Sequence, residues 1–102
     1  MASLKKIIYI VGINTVNDDI KFMSMRQIAD HLDDEEGDYA VRYNRVSSQI
    51  SQFRKLFNLK RIGGRKFFRL SPQGTKFFNK IKDIYDPVLD KLLISPDKIE
   101  VI

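Results

Sequence analysis

The chain has 102 residues, 43% hydrophobic, 30% charged and 11% aromatic. That length and apolar content fit one domain with a core, and exclude both disorder and a catalytic domain joined to a regulatory one. Cysteine is absent and His31 is the sole histidine, which excludes disulfides, thiolate or multi-histidine metal sites and a cysteine nucleophile.

No apolar run nears the ~20 residues that a membrane span needs. The basic start and apolar Ile7–Ile13 superficially suggest a signal peptide, but polar Asn14 follows and no small-residue cleavage site is present. The expectation is a cytoplasmic (nucleoid-associated) protein that does not engage a membrane.

The net charge of +5 is unevenly placed. Residues 1–40 hold four bases and eight acids, and residues 83–102 hold two bases and five acids. Residues 41–82 hold twelve bases, Arg42 to Lys82, and no acid. Solubility needs only mixed charge. A run of 42 residues without a carboxylate suits a polyanion, and nucleic acid is the commonest.

In chain order, Leu4, Ile7, Ile8 and Val11 predict a helix from residue 3 to about 13. Asn14 to Asp19 reads as a turn and Ile20–Met23 as a short strand. Ser24 with Gln27 three residues on forms a capping box for a helix Met25–Leu32 that buries Met25, Ile28, Ala29 and Leu32. The acidic stretch Asp33–Asp38 reads as a loop. It is no EF-hand, because placing Gly37 at the obligatory glycine puts Leu32 first and Tyr43 last.

The next helix, Arg45–Phe57 with Asn44 as its cap, places Val46, Ile50, Phe53 and Phe57 on a core arc, with Leu56 at its edge. Its other side presents Asn44, Arg45, Ser48, Ser51, Gln52 and Lys55, hydrogen-bonding and basic groups without a carboxylate, which suit base edges and phosphates. Gly63-Gly64 then separates two β-capable runs, Leu59–Ile62 and Arg65–Leu70, as a type I′ hairpin requires. Ser71 caps and Pro72 opens the last helix. Along it Phe78, Ile81, Tyr85, Val88 and Leu92 recur at heptad spacing, interrupted by Pro87, so it is either one kinked helix or two. The tail 94–102 reads as an edge strand or a loose end.

A basic hairpin directly after such a helix is the layout of a winged helix, and the residues carry a resemblance. Val41-Arg42-Tyr43-Asn44-Arg45-Val46-Ser47-Ser48-Gln49-Ile50-Ser51-Gln52-Phe53 resembles the recognition segment of LysR-type DNA-binding domains, Val-Ser-Gln-Pro-Ala-Leu-Ser-Arg-Gln-Ile-Arg-Gln-Leu. Val41, Ser47, Gln49, Ile50 and Gln52 match in place, and Val46 and Phe53 are apolar replacements. Leu70-Ser71-Pro72-Gln73-Gly74 is similar to the family's Leu-Thr-x-x-Gly after its wing. Phe22 and Ile28-Ala29-x-x-Leu32 echo its first helix-turn-helix helix. The family's effector-sensing domain has no counterpart, and the acidic segment enlarges the turn between the two helices.

The expected fold is therefore α+β and mainly helical: a stand-alone winged helix-turn-helix over residues 3–74, a C-terminal dimerisation helix over 75–93 and the tail. The expected function is that of a dimeric, sequence-preferring double-stranded DNA-binding protein, a transcriptional regulator. Asn44, Ser48, Ser51 and Gln52 are expected at base edges, with Arg45 on guanine or phosphate. Phosphate contacts are expected from Arg42, Lys55, Lys60 and Arg61, wing contacts from Arg65 and Lys66, and a backbone contact from Lys76. Phe78, Ile81, Tyr85, Val88 and Leu92 are expected to join two copies, with half-sites about 10 base pairs or a multiple apart. A plasmid or viral partition or architectural protein, and a protein-interaction module using the basic face, are the alternative readings. No cofactor and no metal is expected, and no enzymatic constellation is visible.

Overall fold

The structure is a computed structural model that describes residues 4–32, 37–89 and 91–93. It is an α+β fold: α1 (Leu4–Thr15), β1 (Met23–Ser24), α2 (Met25–Asp30), α3 (Tyr39–Gln52), a 3₁₀ turn (Arg54–Leu56), β2 (Phe57–Ile62), β3 (Arg65–Leu70), α4 (Pro72–Ile81), β4 (Tyr85–Asp86) and β5 (Lys91–Leu92). The first three strands form an antiparallel sheet in the order β1-β3-β2, and β4 pairs with β5. Among the described residues no helix is long and apolar enough to cross a membrane.

The core lies between α1 and the inner side of the sheet. Ile7, Ile8 and Val11 of α1 meet Ile28 and Leu32, Val46 and Ile50 of α3, and Met23, Phe57, Phe68 and Leu70 of the sheet. Each such side chain contributes on the order of 1.5–3 kcal/mol by leaving water. The helix α1 runs to Thr15, past the expected end near residue 13. The Asn14 amide donates to the Ile10 carbonyl at 2.7 Å and the Thr15 hydroxyl to Val11 at 2.6 Å, so polar side chains that suggested a turn are absorbed by the helix's own carbonyls. Strand pairing is confined to Met23 and Ser24, opposite Phe68 and Phe67. Ile20, expected in that strand, is 86% exposed in a turn where its amide donates to Asp18.

The capping box is present: Ser24 Oγ accepts from the Gln27 amide, and Gln27 Oε1 accepts from the Ser24 amide. Leu32 is buried, although α2 ends at Asp30. Of the acidic stretch, residues 33–36 lie outside the described residues.

The following helix differs from its expectation at both ends. It starts at Tyr39, because Asp38 caps it by accepting from the Val41 amide at 3.0 Å, and Asn44 sits within the second turn. An aspartate beside a helix N-terminus satisfies an orphan amide and the dipole together, and Tyr39 and Tyr43, one turn apart, add a ring contact at 6.1 Å. The helix stops at Gln52, so Phe53 is an exposed end residue rather than core. Phe57 is buried, but from strand β2, where it pairs with Leu70. The break has a tertiary cause. The Ser71 amide donates to the Leu56 carbonyl at 3.0 Å and its hydroxyl to Lys55 at 2.6 Å, which holds residues 54–56 on the start of α4.

The hairpin is as expected, with Gly63 at φ 55° and Gly64 at φ 78°, the left-handed pair a type I′ turn demands. Ser71 caps α4 through the Gly74 amide at 3.2 Å, with Pro72 opening the helix. The expected helix over 75–93 does not extend that far. α4 ends at Ile81 and a small hairpin follows, because Asp86 Oδ1 accepts from the amides of Val88 and Leu89 and turns the chain around Pro87. The heptad seam is therefore not one stripe. Phe78, Ile81 and Tyr85 are each 5% exposed within this chain, with Tyr9 stacked at 6.2 Å from Phe78 and 5.2 Å from Tyr85. Val88 and Leu92 stand exposed on the hairpin. The tail expectation for 94–102 lies outside the described residues.

Candidate nucleic-acid interface

Helix α3 and the β2–β3 hairpin face each other across an open groove of about 660 Å³. On the helix side it is lined by Ala40, Asn44 and Ser47, and the adjoining cavity by Ser47 and Ser51. The spacing 40, 44, 47, 51 is one stripe at about 100° per residue. It faces the groove because Val46 and Ile50, on the neighbouring stripe, are held in the core. The opposite wall is the hairpin tip, Gly64, Arg65 and Lys66. The start of α2 closes one end with Ser24, Met25 and Arg26, and Tyr39 and Tyr43 complete the lining.

The hairpin's register decides which of its bases reach the groove. Phe57↔Leu70, Leu59↔Phe68 and Arg61↔Lys66 are opposite pairs, so one face runs from apolar at the base to basic near the tip. Arg61 and Lys66 accordingly line the cavity beside α3, joined by Arg54 from the 3₁₀ turn. The other face carries Asn58↔Arg69, Lys60↔Phe67 and Ile62↔Arg65, of which Arg65, next to the turn, still borders the groove. There Lys60 and Arg69 both lie over the Phe22 ring, at 5.5 and 5.6 Å from its centroid. Arg69 also donates to the carbonyls of Thr15, Asp18 and Asp19, closing the C-terminal end of α1.

Of the expected contact residues, the structure thus brings Asn44, Ser51, Arg61, Arg65 and Lys66 onto one continuous surface. Arg42 is turned away: its guanidinium donates to the Gly37 carbonyl at 2.9 Å and lies over Tyr39. Arg45, Ser48 and Gln52 lie on the adjacent helical stripe, and none of them lines the groove. Lys60 is on the far hairpin face, Lys55 on the 3₁₀ turn and Lys76 on α4, all outside the groove. Sequence reasoning did not place Arg26, Ser47 or Arg54 at the interface. The signal for Ser47 was available, since it is one turn from both Asn44 and Ser51. Arg26 and Arg54 are brought in by packing alone.

Among the described residues, neither lining set contains a carboxylate. Five cations from four elements, Arg26, Arg54, Arg61, Arg65 and Lys66, therefore border one cleft, and a cleft with low-dielectric walls concentrates their field. The chain matches no protein-family model, no curated protein and no solved structure.

Proposed function

We propose that the chain is a winged helix-turn-helix protein that binds double-stranded DNA with sequence preference, as a transcriptional regulator does. In this reading α2 and α3 are the helix-turn-helix and β2–β3 is the wing. One observation carries it: a groove, lined by no carboxylate among the described residues, in which Asn44, Ser47 and Ser51 on one helix face stand opposite Arg65 and Lys66, with Arg26, Arg54 and Arg61 around them. The stripe from Ala40 to Ser51 is about 16 Å long, the height of roughly five stacked base pairs. Asn44 and Ser51 offer short donor–acceptor groups to base edges, and the cations take phosphates.

The test compares two charge-matched variants in duplex-binding anisotropy across salt concentration. Arg65→Gln/Lys66→Gln removes two groove cations, and Lys80→Gln/Lys82→Gln removes two at the C-terminal end of α4. Five phosphate contacts imply a log–log salt slope of about −4 to −5 for the unaltered chain, and the first variant should flatten it by about two. The α4 variant should leave the slope nearly unchanged. Equal effects of the two variants, or no duplex bound near micromolar concentration, rejects the reading. A homodimer belongs to the same proposal. Its support is the exposed apolar set Val88, Leu89, Leu92 and Leu93 at the C-terminal hairpin, in place of the seam expected from Phe78 to Leu92.

A further inference from the structure

Beside the C-terminal half of α3 the groove deepens into a cavity of about 200 Å³. One side of it is apolar: Met25, Ile50, Phe57 and Phe68 are buried, and Leu59 is half in water. The other side carries Arg54, Arg61 and Lys66, with the hydroxyls of Ser47 and Ser51. Among the described residues no carboxylate lines it. Nucleic-acid backbones use the cations of such a site but leave its apolar floor unfilled, and Leu59, 48% exposed, lines that space.

We propose that this cavity binds a small aromatic carboxylate, a single ring bearing one acid group. The size fits. An apolar cavity of about 150 Å³ accepts a benzene ring, and the remaining volume takes a carboxyl group. The charge fits as well, because an anion relieves the mutual repulsion of the three cations that line the cavity, and a guanidinium pairs with a carboxylate through two parallel hydrogen bonds. The ring lies against Leu59, Ile50 and Phe68, and the carboxylate lies toward Arg54, Arg61 and Lys66. Ser47 and Lys66 line both this cavity and the larger groove. An occupant therefore competes with DNA for them, a consequence that rests on the DNA reading, whereas the binding itself does not.

The probe is sodium benzoate, titrated at constant ionic strength into the ¹⁵N-labelled full chain, with benzyl alcohol (ring, no charge) and acetate (charge, no ring) alongside. Saturating shifts of the Ser47, Ser51, Leu59 and Phe68 amides are expected with benzoate, with each control at least about tenfold weaker. Arg61→Gln should weaken benzoate about tenfold. Leu59→Trp, at an exposed wall position that leaves the buried core untouched, should abolish saturation without lowering Tm. Non-saturating shifts, equal affinity for benzoate and benzyl alcohol, or unaltered binding by a folded Leu59→Trp chain overturns the site. Saturating benzoate should weaken duplex binding about tenfold. Benzoate binding that leaves duplex affinity unchanged overturns the competition. Benzoate binding by a chain that binds no duplex overturns the DNA reading and supports the site.

Discussion

Gly74 shows how little room single positions leave. A Cβ there would lie 2.1 Å from the Leu56 carbonyl oxygen, and one on Gly12 would lie 2.2–2.5 Å from the Phe78 ring. Both mark places where α4 is pressed against a neighbour, the 3₁₀ turn in one case and α1 in the other. Alanine normally stabilises a helix by up to about 1 kcal/mol relative to glycine. Here the overlap outweighs that gain, and Gly74→Ala should destabilise the chain by about 1–3 kcal/mol in urea denaturation, since backbone cannot yield as a flexible side chain can. Arg69 offers a second prediction at this scale. Its guanidinium serves the carbonyls of Thr15, Asp18 and Asp19 at once, so Arg69→Met should cost about 1–2 kcal/mol. Arg69→Lys should not recover all of it, because an ammonium lacks the planar fork. Nothing near Arg69 in sequence announces this role, since its partners lie 50 to 54 positions earlier.

Among the elements, those whose boundaries depend on neighbours in the chain were legible. Ser24 with Gln27, Ser71 with Pro72, and Gly63-Gly64 each satisfy their backbone groups within four residues, and each stands where its residues indicate. Removing the side-chain half of the first cap, Ser24→Ala, should cost about 1 kcal/mol, measurable by thermal denaturation. Helix α3 was legible only in its middle. Asp38 and Asn44 are both competent caps, and the choice falls to Asp38 because starting there leaves the Tyr39–Tyr43 and Arg42–Tyr39 contacts intact. Its end was not legible, because residues 54–56 are taken out of the helix by hydrogen bonds from Ser71. The start lies six residues and the end five residues before the expected bounds, but Val46 and Ile50 still face the core, so the stripe beside theirs, with Ser47 and without Ser48 and Gln52, is the one that meets the hairpin.

For the molecule as a whole, the distribution of charge was legible as a quantity and not as a surface. Of the twelve bases in residues 41–82, four line the groove and its cavity, joined by Arg26 from outside that segment. Strand alternation sends Lys60 and Arg69 to the far hairpin face, and α4 carries Lys76 and Lys80 elsewhere. The C-terminal segment changed most. The heptad spacing was real, but Phe78, Ile81 and Tyr85 satisfy it by packing on Tyr9 and the core of their own chain. If Val88, Leu89 and Leu92 join two copies, Leu89→Glu should shift the chain from dimer to monomer in light scattering while leaving the urea midpoint of the monomer unchanged. A monomer for both would remove the homodimer from the proposal.

From residue order alone came the caps, the glycine turn, the apolar positions of α1 and the carboxylate-free stretch, because these depend on contacts within about one helical turn or on composition. The ends of α3, the fate of the C-terminal seam and the gathering of Arg26, Arg54, Arg61, Arg65 and Lys66 around one cleft were settled only in three dimensions. They depend on hydrogen bonds and packing between segments far apart in the chain, where two locally adequate arrangements differ by less than the energy of the tertiary contact that chooses between them.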